Sequence, residues 1–344
     1  MAEQPDPQES QELDQGSSSG QPQFVRPGTR INESFIFHDG KNYQHVWDST
    51  SLGLLKECPY KYYLTMIHGW VPRTRSHHLI FGIHVHEALE AYDFARAMGD
   101  SYEAGVIAAL RYCLTATGTH DEAGVFTPWL SDDPTGYKTR ESLTRTIAWH
   151  LTQFEHDMLK TVILSNGKPA VELSFRMELS KLAPHGEPYV LSGHLDKLAE
   201  IPGDGIWVVD HKTTKNTIGE QFFTQFSPNN QISLYANAGR VVYSQPIRGV
   251  IINGIQIAKG FVRSMRSPVH RTKSQLDDWM LELNHYISLA EQYTNWNYFP
   301  MNDKSCFLCH FKSICSKDKT VRATFLAADF TQHHWNPAQS RNAE

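Results

Sequence analysis

The chain is poor in cysteine, has no long apolar run and carries no excess of positive charge. Five cysteines in 344 residues are too few for a disulfide scaffold, which points to reduced, intracellular thiols. No stretch approaches the roughly 18 uncharged apolar residues needed to cross a bilayer, so a membrane span is excluded. The N-terminus lacks a basic region followed by an apolar stretch, so no secretory signal is expected, and a cytoplasmic location is (host cytoplasm if the chain is phage-encoded). No Walker motif and no internal repeat occur, so any ATP-driven unwinding has to come from a partner.

The net charge of −5 argues against a nucleic-acid ligand until it is located. Residues 1–25 contain five acids (Glu3, Asp6, Glu9, Glu12, Asp14) and no Lys or Arg. Without them, 32 basic residues face 32 acidic ones, so local patches must decide. Rich in Gln, Glu, Ser, Gly and Pro, this stretch reads as a disordered acidic tail. Residues 26–330 read as one domain and 331–344 as a C-terminal tail.

Helical turns are expected around 51–67. Helices are expected over 79–98, 101–116, 140–163, 218–241 and 273–295, with a loop at 264–271. Strands are expected over 171–179, 189–201, 205–213 and 249–257, the middle pair joined by the turn Pro202-Gly203-Asp204-Gly205. That order predicts an α/β domain with a central mixed sheet flanked by helices.

The chemistry concentrates in Gly193-His194-Leu195-Asp196 and, 14 residues beyond that aspartate, Asp210-His211-Lys212. On a strand, Asp210 and Lys212 share a face with Ile206 and Val208, while Trp207 and Val209 point to the opposite layer. A strand apolar on both sides belongs at the centre of a sheet. Ending it with a buried acid and a lysine is costly unless a metal or substrate compensates. Two carboxylates, from Asp196 and Asp210, suit Mg²⁺ or Mn²⁺, and an adjacent ammonium suits a phosphoryl oxyanion.

This pattern resembles the PD-(D/E)xK nuclease superfamily, with its restriction-endonuclease-like core, and more narrowly its RecB-type branch. That branch adds Gly-x-x-x-His-Glu on an upstream helix, here Gly82 to His86-Glu87, and Gln-x-x-x-Tyr on a downstream one, here Gln231 to Tyr235. His84 falls short of the Gly-to-His spacing. Leu195 stands where a proline often precedes the first acid. The resemblance implies a divalent metal held by His86, Asp196, Asp210 and the main-chain carbonyl of His211. It also implies a catalytic Lys212, with Gln231 and Tyr235 positioning the lysine or the scissile strand. Glu172 matches an acid often found on an earlier strand, although a strand-edge Glu is usually just solvated.

Cys306-Phe307-Leu308-Cys309 and Cys315 put three thiols within ten residues, and a tetrahedral or cubane site needs one more ligand. Cys58 and Cys113 remain, of which Cys113 sits in an apolar helical stretch and reads as a packing thiol. The iron–sulfur members of the branch, the AddB-like and CRISPR-associated exonucleases, place one cysteine upstream and three near the C-terminus. By that resemblance Cys58, Cys306, Cys309 and Cys315 hold a [4Fe–4S] cluster that ties the two ends of the domain together. Zinc is the alternative, and His310 would sit awkwardly as a ligand beside Cys309.

Lys259, Arg263, Arg266, Arg271 and Lys273 form a basic run suited to phosphate contacts or to a solvated loop. Tyr60, Tyr62, Tyr63 and Trp70 offer surfaces for unpaired bases, though most of them read as core. The expected activity is a metal-dependent DNA exonuclease acting on single-stranded ends in recombination, repair or phage DNA processing. A helicase or recombination protein is the expected partner. The alternative is a non-catalytic, iron–sulfur DNA-binding subunit of a helicase or recombination complex.

Overall fold

A computed structural model describes residues 29–74, 76–129, 133, 135–243 and 246–339, so the acidic segment 1–25 lies outside the described residues. Two short strands, β1 (Phe35–His38) and β2 (Lys41–Gln44), form a hairpin and lead into β3 (Val46–Trp47). Asp48 caps α1 (Ser49–Glu57), accepting from the Ser51 amide while Ser51 Oγ accepts from the Asp48 amide. Cys58 and Pro59 then turn the chain into α2 (Pro59–Tyr62), a π-turn over Tyr63–Ile67 and β4 (Trp70–Pro72). Next come α3 (His77–Ala97), α4 (Tyr102–Thr115), the small hairpin β5 (Gly118–His120) and β6 (Phe126–Pro128), and α5 (Arg140–Gln153).

The sheet follows with β7 (Lys160–Thr161), β8 (Val171–Leu182), β9 (Pro188–Ile201) and β10 (Gly205–Thr214). Helices α6 (Glu220–Thr224) and α7 (Asn230–Val242) precede β11 (Ile247–Ile257), β12 (Val262–Val269) and α8 (Lys273–Trp296). The chain closes with a 3₁₀ turn at Asp303–Ser305, α9 (Lys312–Cys315), α10 (Lys319–Asp329) and β13 (Phe330–Gln332).

Seven strands make one mixed sheet in the order β12-β11-β10-β9-β3, with β7 and β8 also paired to β9. The β10–β11 and β3–β9 pairs are parallel and the others antiparallel. Side-chain alternation sends β10 into two cores. Ile206 and Val208 pack with Ile232 and Leu234 of α7. Trp207 and Val209 pack with Ile251 on the other face. The α3–α4–α5 layer closes around Phe81, Val85, Ala109, Cys113, Leu143 and Ile147 against Ile255 and Ile257 of β11. A mixed sheet between two helical layers is the architecture the sequence implies.

Four boundaries differ from expectation. The helix expected over 218–241 is two, because Pro228 has no amide to donate and blocks a continuous helix. The helix expected to run to 163 ends at Gln153, and the chain returns as β7. The loop expected at 264–271 is mostly β12, antiparallel to β11 from Val262↔Ile257 to Val269↔Val250. Its Arg263, Arg266 and Pro268 disguise a sheet-edge strand, the one place in a sheet where such residues are tolerated. Finally, residues 331–339 of the expected tail are docked: β13 pairs with β4, Ala338 N–H donates to Ser34 Oγ (2.9 Å) and Ser192 Oγ donates to Pro337 O (2.6 Å).

Candidate active site

The β9–β10 hairpin is regular from its turn to the pair Val209↔Lys197 and then opens. One residue beyond that pair, Asp196 uses its own carboxylate instead of its backbone, and Oδ2 accepts the His211 amide at 2.8 Å. β10 meanwhile continues in register with β11, Asp210 opposite Ile252 and Lys212 opposite Gly254. Splitting the ladder here leaves a notch between two strands, floored by Asp196 and Asp210.

Three donors meet beside the notch. His86, three turns into α3, presents Nδ1 to Asp196 Oδ2 at 3.2 Å. Glu172 enters from β8, whose register with β9 (Val171↔Lys197, Leu173↔Leu195) brings it alongside Asp196. One ligand atom from each of His86, Glu172 and Asp196 lies within 4.8 Å of the others. Glu172 is 3% exposed and holds a left-handed backbone (φ 47°), a conformation that costs a non-glycine residue roughly 1–3 kcal/mol and that clusters at functional sites. The solvated strand-edge Glu of the sequence reading is in fact buried and strained. An imidazole with two carboxylates fits a divalent cation such as Mg²⁺ or Mn²⁺.

The electrostatics follow from this crowding. Burial works against the His86 imidazolium, yet the Asp196 and Asp210 carboxylates raise its pKa to about 9. Burial also opposes ionisation of Asp196, but His86, His211 and Lys212 hold its carboxyl well below the usual range. Asp210, 1% exposed, goes the other way: burial lifts it, with Lys212 only partly opposing. Lys212 Nζ lies 2.8 Å from Oδ1 and 2.7 Å from Oδ2 of Asp210, and the Oδ2 contact lacks hydrogen-bond geometry. Asp210 Oδ2 is thus buried and ion-paired to Lys212, and Asp210 lines the same cavity as His86 and Asp196.

On α7, started by the Asn229 cap, Gln231 and Tyr235 stand one turn apart and Gln231 Nε2 donates to Tyr235 Oη at 2.9 Å. Burial pushes the Tyr235 phenol well above its ordinary value, as do the nearby Asp210, Asp196 and Glu172 carboxylates, so it keeps its proton. On β9, Gly193 leaves room for the Phe175 ring of the neighbouring β8, since an added Cβ would fall 2.8 Å from Phe175 Cζ. A cavity of about 310 Å³ collects His86, Asp196, Asp210, Lys212, Gln231 and Tyr235 in its wall. The helix of the histidine, the hairpin acids, the lysine and the Gln/Tyr pair therefore share one site.

A family model of the PD-(D/E)XK nuclease superfamily matches residues 49–316, a span that holds every one of these side chains. The chain belongs to the PD-(D/E)XK nuclease superfamily. No curated protein matches it in sequence. Among solved structures, an exonuclease candidate from Eubacterium rectale is similar at a TM-score of 0.45 and 12% identity, over 80% of this chain and 89% of that one. The protein SSO0001 is similar over 42% of this chain and 58% of its own, at a TM-score of 0.26 and 16% identity.

The nuclease keeps its cysteines apart from this cavity. Asn302 links the distant segments: its amide donates to Cys58 Sγ (3.3 Å), its side chain donates to Glu57 O (2.8 Å), and its carbonyl accepts from Cys306 Sγ (3.7 Å). Burial raises the Cys315 thiol to about 11, with Cys309, Cys58 and Cys306 adding to the rise, so the four sulfurs share one neighbourhood. Cys113 is fully buried between α3, α4 and α5, as a packing thiol.

The basic run is dispersed. Arg266 is held by Asp157 through both nitrogens (2.6 and 2.7 Å), Arg271 by Ser227 Oγ and Phe226 O, and Lys273 by Asp277. Lys259 lies over the Tyr137 ring, and Arg263 is exposed on β12. None of the five lines the cavity. Tyr60, Tyr62, Tyr63 and Trp70 are all buried. Glu172, buried beside His86 and Asp196, was underweighted by the sequence reading, and Asp48 and Trp335, which line the cavity, were missed. Asp48 shows locally only as the cap of α1, and the contact that brings it to Trp335 spans 287 positions, so no local pattern marks either as part of the site. Among the described residues, no helix is long and apolar enough to cross a membrane.

Proposed function

We propose that this nuclease is a divalent-metal-dependent DNA exonuclease of the RecB-type branch, acting on single-stranded ends in recombination, repair or phage DNA processing. The observation that carries the reading is the gathering of His86, Glu172 and Asp196 ligand atoms within 4.8 Å of one another, next to a cavity lined by His86, Asp196 and the Asp210–Lys212 pair. His86, Glu172 and Asp196 would hold the cation, with Asp210 and the His211 carbonyl completing its shell. A bound Mg²⁺ or Mn²⁺ supplies Lewis-acid stabilisation of the phosphate and acidifies water. His86 must give up its proton before its nitrogen can ligate. Lys212, half-buried and held against Asp210, neutralises charge developing on the phosphate. Tyr235 stays protonated, a hydroxyl donor fixed by Gln231.

We assign Cys58, Cys306, Cys309 and Cys315 to a [4Fe–4S] cluster, with zinc as the alternative; their clustering around Asn302 and Cys315 supports a shared metal site. Joining positions 58 and 306 closes a very long loop, so the cluster acts as a staple that stabilises the fold. Exposed Lys259 and Arg263 are the members of the basic run best placed to meet phosphate, and a helicase or recombination protein would supply the free ends.

The deciding experiment digests end-labelled single- and double-stranded DNA in Mg²⁺ with wild type and Lys212→Ala. A loss of about 10²–10³-fold in rate is expected for the variant. Equal degradation by both proteins refutes the catalytic assignment. Binding without degradation by wild type favours the non-catalytic iron–sulfur subunit.

A further inference from the structure

The C-terminal strap places Trp335 in the wall of the catalytic cavity. After β13 pairs with β4, the His333 amide donates to Gly69 O (2.7 Å), and Asn32 Nδ2 donates to Trp335 O (3.2 Å). Ser192 Oγ then fixes Pro337 O and Ser34 Oγ fixes the Ala338 amide, so the backbone is pinned on both sides of Trp335. The indole N–H donates to Asp48 Oδ2 at 2.8 Å. Asp48 is itself buried and anchored, its Oδ1 accepting the Ser51 amide at 2.7 Å as the cap of α1.

The Trp335 indole N–H and carbonyl are both paired, yet the residue is 41% exposed and lines the same cavity as His86, Asp196, Asp210 and Lys212. Leu79 and Ile83, at 59% and 37% exposure on the first turns of α3, line it too. A large ring held rigidly from behind, with an open face beside apolar side chains, loses little entropy when a flat ligand covers it. We propose that Trp335 forms a base-stacking subsite for an unpaired nucleotide next to the scissile phosphate. The proposal rests on the nuclease reading and deepens it. Bases inside a duplex have both faces covered by neighbours, so only a single-stranded end can use this surface. Stacking on an indole is tolerant of base identity, because every base has a π-face. The subsite thus selects unpaired ends without selecting sequence.

The test compares Mg²⁺-dependent digestion of single-stranded oligodeoxythymidylate with that of oligonucleotides carrying one abasic residue at successive positions from the end. Wild type should show a rise in KM of about tenfold to a hundredfold when the abasic residue occupies one particular position, with kcat changing less. Trp335→Ala should show that rise on the intact oligonucleotide and no further penalty from the abasic residue. Trp335→Phe should stay close to wild type. The wild-type series needs no variant, so a folding defect in Trp335→Ala does not spoil the test. A wild-type enzyme that digests DNA with no position-dependent abasic penalty overturns the subsite alone, as does a penalty equally large in Trp335→Ala. A wild type that neither binds nor digests DNA removes the nuclease reading and the subsite with it.

Discussion

Immediately behind Asp196, Lys197 points into the α3 layer and its Nζ meets Asp93 Oδ1 at 2.6 Å, with side chains only 6% and 8% exposed. At this distance and an effective dielectric of about 20, the gross attraction is about 6 kcal/mol. Taking each ion out of water costs several kcal/mol, so the intact pair is close to neutral against an apolar pair of the same size. Lys197→Met alone leaves a buried, unpaired carboxylate and should cost about 3–5 kcal/mol. Lys197→Met with Asp93→Leu should recover most of that. The pH dependence separates lost charge from lost packing. Burial already lifts the Asp93 carboxyl above its ordinary value, with Lys197 the main opposing influence. Removing Lys197 lifts it further. A carboxyl whose folded pKa lies above its unfolded one binds its proton more tightly in the folded state, so stability falls as pH climbs between those two values. The deficit of Lys197→Met should therefore be full above the raised pKa and shrink on acidification towards the ordinary aspartate range. Urea unfolding followed by circular dichroism at mildly alkaline and acidic pH measures both. A single-variant cost under about 1 kcal/mol, a pH-independent deficit, or a double variant as unstable as the sum of its parts would refute the reasoning.

Three further outcomes follow from the donor cluster and the cysteines. Glu172→Gln keeps the shape but removes one charge from the donor cluster, and should weaken Mn²⁺ binding about tenfold or more by titration calorimetry. Glu172→Gly should bind as weakly yet melt no lower than Glu172→Gln, since glycine relieves the φ of 47°; a much lower melting temperature contradicts the strain. Anaerobically prepared Cys58→Ser and Cys306→Ser should both lose the brown colour of an iron–sulfur protein and melt earlier, whereas Cys113→Ser should keep the colour; a colourless wild type containing zinc overturns the cluster.

The residues legible in the sequence are those whose partners are local or periodic. Parity along β10 places Asp210 and Lys212 on the face of Ile206 and Val208, and the hairpin turn brings Asp196 opposite them; the α7 periodicity stacks Gln231 on Tyr235. Local pattern reaches no further. Glu172 lies in a stretch that reads as an ordinary alternating strand, and only its pairing with β9 and its left-handed backbone show that its carboxylate is buried with His86. The basic run misleads for the complementary reason: a loop and an edge strand can carry the same charges, and Arg266 is drawn to Asp157, 109 positions away in sequence. Trp335 is the extreme case, since its indole partner Asp48 lies 287 positions earlier. A site assembled by segments this far apart can close only after the sheet exists, because each long loop must be ordered before its contacts repay the cost. The hairpin that carries Asp196, Asp210 and Lys212 is local in sequence, whereas the Trp335 wall of the cavity depends on a contact spanning 287 positions.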